Sequence, residues 1–386
     1  MKIFHTADWH LGKLVQGIYM TEDQAYVLEQ FIVAVKEENP DIIIIAGDLY
    51  DRAIPPTEAV ELLNNILEKL TLQLNKPVIA IAGNHDSPDR LDFATKLMEK
   101  NNLYLSGQIR YPLKPIVFND QYGEVEVYTL PYADPSIVRY ITGQEEIKNH
   151  DDAMRIVVEH IKQNWNEQAR HILVGHAFVT KLGQPEQNTS DSERPLSIGG
   201  AEHVNASYLE CFDYVALGHL HQAHFVQQEY IRYSGSPLKY SISEEHHQKG
   251  FLVVDLKEKG IVNIEKRSLT PIRDMKRIKA TITELEKHPY NEDYVFVTLT
   301  DENPVLFPME RIRKVYPNAM HVDRQAKAVA DANTSQLQTN ETKSKLNPIQ
   351  LFSAFYEEVN QQQLSEEKRQ LFISIYEELE RLEGEK

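Results

Sequence analysis

Five short runs of the sequence combine carboxylate, imidazole or amide side chains, most of them with glycine. They are Asp8-Trp9-His10, residues 47–52 (Gly-Asp-Leu-Tyr-Asp-Arg), residues 83–86 (Gly-Asn-His-Asp), Gly175-His176 and residues 218–221 (Gly-His-Leu-His). Each run alone is a weak signal, because such pairs occur often by chance. Side chains two residues apart on an extended segment point to the same side, so that a pair such as Asp8 and His10 can hold one ion. Together the runs predict a metal site, where glycine allows the sharp turns that bring ligands together.

The candidate ligands offer two carboxylates, four imidazoles and one amide oxygen, from Asp8, Asp48, His10, His176, His219, His221 and Asn84. This set is too large for one tetrahedral zinc ion and suits two divalent ions that share a carboxylate. Manganese, iron and zinc all fit nitrogen and oxygen ligands. Cys211 is the single cysteine, which excludes an internal disulfide and a cysteine-based zinc site. Two ions about 3.5 to 4 Å apart would lower the pKa of a shared water and assist an in-line phosphoryl displacement, so the expected chemistry is hydrolysis of a phosphate ester.

The candidate ligands follow segments that are typical of buried strands. Short β-branched or apolar segments predict strands at residues 2–6, 41–46, 78–82, 171–174, 214–217 and 251–254. Apolar residues at helical spacing predict two helices between the first three strands. One begins with a capping box of Thr21 and Gln24, and the other begins at Thr57. The first third of the chain is therefore expected to alternate strands and helices, with the candidate ligands at strand ends.

Four segments are expected along the chain. Residues 1–270 form the main domain, and alternating apolar residues at Ile278, Ala280 and Ile282 predict a small α/β domain at 271–325. Residues 326–346 lack aromatic side chains and are rich in Ala, Asn, Gln, Ser and Thr, which predicts a linker. Residues 347–386 predict a helix pair.

The two C-terminal helices have wide apolar faces. Leu351, Phe355, Leu371, Ile375 and Leu379 are among the residues of these faces. A two-helix hairpin cannot cover both faces, so we expect the pair to bind a partner. The alternative is that the helices pack back on the main domain.

Composition narrows the class of protein. The chain has 386 residues, of which 41% are hydrophobic and 26% charged, which excludes a fibrous or wholly disordered chain. A formal net charge of −17 argues against a protein that coats nucleic acid nonspecifically. No apolar run approaches the roughly 20 residues of a membrane-spanning helix. Asp8 and His10 stand where a signal peptide would need apolar residues, so we expect a cytoplasmic protein.

In their order along the chain, the five runs resemble the calcineurin-like metallophosphoesterase superfamily. The resemblance covers about residues 1–270 and implies an α/β fold, a β-sandwich flanked by helices, with the small α/β segment as a capping domain that helps to select DNA. Residues 5–12 (His-Thr-Ala-Asp-Trp-His-Leu-Gly) and the run at 47–52 are similar to those of bacterial nuclease subunits in this superfamily, which act with a coiled-coil ATPase.

This resemblance assigns roles to the candidate residues. Asp8, His10, Asp48 and His221 would hold one ion, and Asp48, Asn84, His176 and His219 the other, with Asp48 as the bridge and manganese as the expected metal. His85 would serve as general acid or charge stabiliser. Asp51 would orient it as in a His-Asp dyad, and Arg52 would contact phosphate oxygens. A structural ion pair is the alternative for Arg52.

The resemblance also implies a function and partners. The chain would be a metal-dependent DNA nuclease, acting on duplex ends and on hairpins or single strands in DNA repair, recombination and replication. Its C-terminal helices, residues 347–386, would bind the ATPase, and residues 50–67 are a plausible contact of a homodimer. One alternative is a phosphatase or cyclic-nucleotide phosphodiesterase of the same fold. A noncatalytic scaffold is the other, and its mark would be missing ligands, none of which is missing here.

Overall fold

The structure is a computed structural model that describes residues 1–181, 188–193, 202–325, 352–353, 355–357 and 363–384. The strands of this part of the chain, β1 to β19 in order, are Lys2–Thr6, Leu14–Val15, Ile18–Tyr19, Ile42–Ile45, Val78–Ile81, Leu103–Ser106, Ile116–Asp120, Gly123–Leu130, Arg170–His176, Val179–Thr180, Val204–Asn205, Tyr214–Gly218, His224–Val226, Gln228–Tyr233, Gly250–Leu256, Val262–Ser268, Met275–Ala280, Tyr294–Leu299 and Ala319–Arg324. The helices, α1 to α9, are Thr21–Glu38, Thr57–Glu68, Pro88–Leu91, Thr95–Met98, Pro135–Thr142, His150–Asn164, Ile282–Leu285, Pro308–Ile312 and Glu366–Gly384. Compact units are found at residues 1–325 and 326–386.

Two six-stranded sheets pack face to face in the first unit. In the first sheet, β1, β4, β5 and β6 run parallel, and β15 and β16 add an antiparallel edge. In the second, β8, β9, β12 and β14 run parallel between the antiparallel edge strands β7 and β13. One apolar cluster, formed by residues of both sheets, fills the space between them.

Helices cover the outer faces of both sheets. Helices α1 and α2 pack on the first sheet, and α5 and α6 pack on the second, each with a separate apolar cluster. A central parallel strand is then buried on both faces, which explains why β4 consists of four isoleucines that are all buried. The predicted β-sandwich flanked by helices is confirmed.

The start of the first helix differs from the sequence prediction. Helix α1 begins after Met20, and no side chain caps its N-terminus, so the predicted capping box of Thr21 and Gln24 is wrong. Gln24 is fully buried, and its side chain donates hydrogen bonds to the loop after β1 instead. A tertiary contact therefore replaces the local one.

A three-stranded parallel sheet with its own apolar cluster lies at 275–324. Strand β18 is central, between β17 and β19, and helices α7 and α8 cover the sheet. Ile282, which the alternation placed in a strand, instead begins α7 behind the cap residue Thr281. The buried Asp23 of α1 accepts from Arg273 at 2.9 Å and from Tyr294 at 2.7 Å, which joins this sheet to the sandwich.

The second unit contains α9. The rings of Phe352 and Phe372 stack with centroids 4.0 Å apart, and Leu371 and Ile375 are exposed. The predicted linker at 326–346 and Leu351 lie outside the described residues. Of the helices in the described ranges, none has the length and apolar character that a membrane crossing requires.

Candidate metal centre

The topology brings the five sequence runs to one end of the sandwich. Asp8 follows β1, Asp48 follows β4 and Asn84 follows β5 in the first sheet. His176 ends β9 and His219 follows β12 in the second sheet. These five strands belong to the parallel parts of their sheets, and the carboxyl ends of parallel strands meet at one edge. All of the predicted ligands except the half-buried Asn84 are buried.

Ligand atoms converge in overlapping groups. Those of Asp8, His10 and His221 lie within 4.8 Å of one another, as do those of Asp8, Asp48 and His176. The Nε2 atoms of His10 and His221 are 3.0 Å apart. Asp48 Oδ2 is 3.5 Å from His10 Nε2 and 3.6 Å from His176 Nε2. Asp48 thus lies between the two predicted ligand groups.

The two remaining candidate ligands adjoin His176. Asn84 Oδ1 lies 3.0 Å from His176 Nε2, and the ring centroid of His219 is 5.5 Å from that of His176. The main-chain N–H of His219 donates to Asp8 Oδ1 at 2.9 Å. The structure therefore brings all seven candidate ligands together.

Several candidate ligands have left-handed backbone conformations. Asp8, His10, Asp48 and His219 have φ values of 54°, 46°, 50° and 110°. Such conformations are costly for residues with a Cβ and cluster at functional sites. Gly47, at φ +96°, passes so close to His176 that a Cβ would lie 2.2 Å from Nδ1. The turn after β4 therefore requires glycine at this position.

Burial and neighbouring charges set the ionisation of the site. Burial lowers the pKa of His10 to about 3 and also lowers that of His176, which keeps both imidazoles neutral and able to bind metal near pH 7. Burial, and then the charge of Asp48, raises the pKa of Asp8. Burial opposes ionisation of Asp48 as well, but the neighbouring His176 and His10 hold its pKa below the ordinary value. Two buried carboxyl groups this close repel each other unless a cation lies between them.

The residues fit a pair of divalent cations. His176 Nδ1 donates to the carbonyl of Ala46 at 3.0 Å, so that Nε2, which faces Asn84 Oδ1, carries a lone pair. Two acceptors at 3.0 Å are explained by a shared cation. Asp8 Oδ2 is buried and has no hydrogen-bond partner within the described part of the chain. These atoms have the donor chemistry that manganese, iron and zinc accept.

His85 lies at the edge of the ligand cluster. Its ring is half-buried and meets that of His10 edge to face, with centroids 4.7 Å apart. Nδ1 donates to the main-chain carbonyl of Asp51 at 2.8 Å, which leaves Nε2 for a substrate. His10, Asp51 and His85 also offer ligand atoms within 4.8 Å of one another, so a role of His85 as a ligand is the competing interpretation.

The side chain and the main chain of Asp51 contact different neighbours. Its carboxylate pairs with Lys13 Nζ at 2.7 Å and lies 3.5 Å from His10 Nδ1. His85 Nδ1 donates to the main-chain carbonyl of Asp51 at 2.8 Å, and no hydrogen bond joins the carboxylate to His85 within the described residues, so the His-Asp dyad through the side chain stays a prediction. The side chain lies beside His10, a candidate ligand, although His10 Nδ1 makes no hydrogen bond within the described residues.

Arg52 remains outside the ligand cluster. The residue is exposed, and no ion pair to it is found within the described ranges. The predicted alternative of a structural ion pair therefore has no support from these residues.

Sequence reasoning missed several residues that support the site. Asp86 accepts from the main-chain N–H groups of Leu49, Tyr50 and Gly83 at 2.9 to 3.0 Å, which holds the loop after β4 against the loop after β5. Burial, and then the charge of Asp48, raises the pKa of Asp86 to about 7. Its place in the run at 83–86 is the signal that could have indicated it.

Gln24 and Tyr240 hold the loop after β1. Gln24 Nε2 donates to the carbonyls of Trp9 and His10 at 3.1 and 2.8 Å. Tyr240 donates to the Trp9 carbonyl at 2.5 Å, and its ring packs edge to face on that of His10. Both residues are distant from His10 in sequence and belong to none of the five runs, so no sequence signal identifies them.

Comparisons with known proteins cover nearly the whole chain. The family described as "Calcineurin-like phosphoesterase" matches residues 1–223, and the family described as "Type 5 capsule protein repressor C-terminal domain" matches residues 271–360. The SbcD subunit of the nuclease SbcCD from Staphylococcus saprophyticus subsp. saprophyticus is 36% identical over 369 residues, 95% of this chain and 95% of that protein. The solved structure of a dimetal phosphatase from Danio rerio is 12% identical and aligns with 69% of this chain and 96% of its own, with a TM-score of 0.43.

Proposed function

The chain belongs to the calcineurin-like phosphoesterase family and to its SbcD nuclease subunits, and from this premise we propose that it is a metal-dependent DNA nuclease that acts with an SbcC-like coiled-coil ATPase. The observation that carries the proposal is the convergence of seven buried or half-buried ligands at one end of the sandwich. A metal-dependent phosphodiester hydrolase requires such a site, whereas a noncatalytic scaffold does not.

We infer that Asp8, His10, Asp48 and His221 hold one divalent ion and that Asp48, Asn84, His176 and His219 hold the other. Manganese is the metal that we expect. Two ions at this position supply activation of water and stabilisation of charge on a phosphodiester. The protein contributes rigid positioning, because the ligands lie at the ends of buried strands and several are fixed further by main-chain hydrogen bonds.

His85 and Arg52 are the residues that we expect to contact the DNA phosphate. His85 is held through Nδ1, which leaves Nε2 free for the substrate, and with both ring nitrogens protonated Nε2 can donate a proton to the leaving oxygen. The exposed Arg52 can contact phosphate oxygens with two parallel hydrogen bonds. The Asp51 carboxylate would act indirectly, through its positions beside His10 and Lys13.

DNA is a better candidate substrate than a small phosphate ester. The relative with 36% identity over 95% of the chain is named as part of a nuclease. The three-stranded sheet and the C-terminal helices are additions that a phosphatase or cyclic-nucleotide phosphodiesterase does not require. We propose that the sheet caps the active site and that the enzyme acts on duplex ends, hairpins and single strands during DNA repair and recombination.

Shape, more than charge, would let the capping sheet select DNA. Lys276 pairs with Asp293 at 2.6 Å, and Arg277 pairs with Glu245 at 3.3 Å. Arg311 donates to Glu286. Basic side chains that are neutralised within the protein attract phosphate weakly, which is in line with the net charge of −17.

Two protein contacts are part of the proposal. The C-terminal helices would bind the ATPase, and exposed side chains such as Leu371 and Ile375 would supply the contact. A groove of about 410 Å³ with Val60, Leu72 and Phe93 on its surface suits a homodimer, because these side chains are 44%, 62% and 77% exposed. A complex that uses ATP and chromosomal DNA would act in the cytoplasm.

Cleavage assays on two substrates separate the candidate functions. Hydrolysis of a 5′-labelled duplex and of a small chromogenic phosphodiester would be compared with manganese and with chelator. We expect efficient manganese-dependent cleavage of the duplex and slow cleavage of the small ester. Rapid hydrolysis of the small ester with an intact duplex would favour the phosphodiesterase alternative.

A further inference from the structure

A buried ion pair lies beside the candidate metal centre. The side chains of Glu244 and Lys249 are 0% and 5% exposed, and Oε2 of the first is 2.5 Å from Nζ of the second. Neither residue belongs to the five sequence runs. Burying an ion pair costs a desolvation penalty that its own attraction often fails to recover, so the pair is a weak source of stability. Its contacts suggest a different role.

Both members of the pair contact His221. Glu244 Oε1 is 3.2 Å from His221 Nδ1, and Ser192 Oγ lies 2.7 Å from the same nitrogen and donates to Glu244 Oε1. Lys249 Nζ donates to the main-chain carbonyl of His221 at 2.8 Å and to Ser236 Oγ at 2.8 Å. The pair thus holds the ring of His221 by one partner and its main chain by the other.

These contacts prepare Nε2 of His221 for metal. A carboxylate and a hydroxyl acceptor beside Nδ1 keep the ring proton on that nitrogen, so that Nε2 carries the lone pair. Nε2 lies 3.0 Å from His10 Nε2, where the candidate ligands converge. Carboxylates that accept from a metal-bound histidine orient the ring and make it a stronger ligand. Lys249 offsets the charge of Glu244, so the pair adds no net charge to a centre that already holds two aspartates.

We propose that Glu244 is a positioning residue that orients His221 and strengthens its binding of one of the two metal ions, with Lys249 as its counter-ion. The inference rests on the proposed two-metal site and adds to it a residue from the segment after β14. It predicts an effect on the binding of only one of the two proposed ions, because His221 is a proposed ligand of only that one.

The test measures manganese binding to the metal-free protein by calorimetry, together with thermal unfolding. The variants are Glu244→Gln and the double variant E244Q/K249M, in which no buried charge is left unpaired. Asp23→Asn is the matched control, since Asp23 is a buried carboxylate that pairs with Arg273 and has no hydrogen bond or ion pair to a candidate ligand within the described residues. We expect about 10- to 100-fold weaker binding at one site in both Glu244 variants. The second site and the control keep wild-type affinity.

The double variant distinguishes a positioning role from a structural one. If Glu244 only stabilises the fold, E244Q/K249M recovers both its unfolding temperature and its manganese affinity, and the inference is overturned. Equal weakening at both sites, or weakening in the Asp23 control, also overturns it. Should the wild-type protein itself fail to bind two manganese ions, the proposed function fails instead.

Discussion

At the scale of single residues, Asp48 occupies the central place among the candidate ligands. It lies between His10 and His176, and its Oδ1 accepts from the main-chain N–H of His85 at 2.9 Å. The run at 47–52 made it a candidate from sequence. Its position between the two histidines depends on the left-handed turn at Gly47 and Asp48, which only the folded chain specifies.

Substitution of Asp48 and of His85 should have different effects. We expect Asp48→Ala to lose metal and activity together, because both ions would share this carboxylate in the proposed site. His85→Ala should retain two metals per chain while cleavage falls roughly hundredfold or more, the usual effect of losing an acid catalyst. Metal analysis of both purified variants makes the comparison. Loss of metal from His85→Ala would make His85 a ligand.

The position of Asp51 leads to a second residue-scale prediction. Its main-chain carbonyl orients His85 and its carboxylate meets His10 and Lys13. Asp51→Asn should therefore need more manganese for half-maximal cleavage, while its rate at saturating manganese stays within about tenfold of the wild type. Manganese titration of the cleavage rate, with His85→Ala as the control, measures both effects. If the cleavage rate of Asp51→Asn at saturating manganese is as low as that of His85→Ala, the result would favour a dyad between the Asp51 carboxylate and His85.

At the scale of secondary-structure elements, the sequence predicted the strands that carry the candidate ligands. Buried parallel strands such as β4 have continuous β-branched runs, so the pattern that forms the strand is also the pattern that marks it. The capping box failed because Gln24 makes tertiary contacts with the loop after β1, and no local signal reports such contacts. Glu244 was missed for the same reason, since it meets His221 only after β14 and the following segment have folded.

The ion pair between Asp120 of β7 and Arg170 of β9 predicts how the free energy of unfolding depends on pH. Burial would raise the pKa of Asp120 in β7, but hydrogen bonds from Arg170 of β9 and from the N-terminal amine hold it at about 2. Its ordinary value is 3.8, so between about pH 4 and pH 2 the unfolded chain binds more protons. The stability from this group is present above pH 4 and is lost as the pH falls toward 2.

Urea unfolding of the wild type and of Asp120→Asn over this pH range measures that contribution. The stability difference between the two proteins should be largest above pH 4 and should shrink toward pH 2. Asp255→Asn is the control, because Asp255 lies on β15 with its side chain 47% exposed and 3.8 Å from Lys257. A stability difference that does not change with pH would contradict the account.

At the scale of the whole molecule, we expect catalysis and partner binding to reside in different parts of the chain. The candidate ligands end at His221, within the first compact unit, and the second unit begins at residue 326. Truncation after Asn340 should leave a manganese-dependent nuclease with near-normal cleavage. Co-purification with the SbcC-like ATPase and any ATP-stimulated cleavage should disappear, because burial of apolar side chains at about 1.5 to 3 kcal/mol each would drive the docking.

Cleavage assays and co-purification on the truncated and full-length proteins test this separation. The double variant L371E/I375E provides a milder change on the same helix and should behave like the truncation. A truncated protein that precipitates, together with a double variant that still binds the ATPase, would show that the helices belong to the core of the nuclease.

The proposed joint action of two metal ions on DNA can be measured by titrating the metal-free protein with manganese while its cleavage of a labelled duplex is followed. Cleavage should remain near background up to one ion per chain and rise as the second ion binds. It should vanish with chelator and stay absent in Asp48→Ala. Full cleavage at one ion per chain, or cleavage that persists with chelator, would contradict the account.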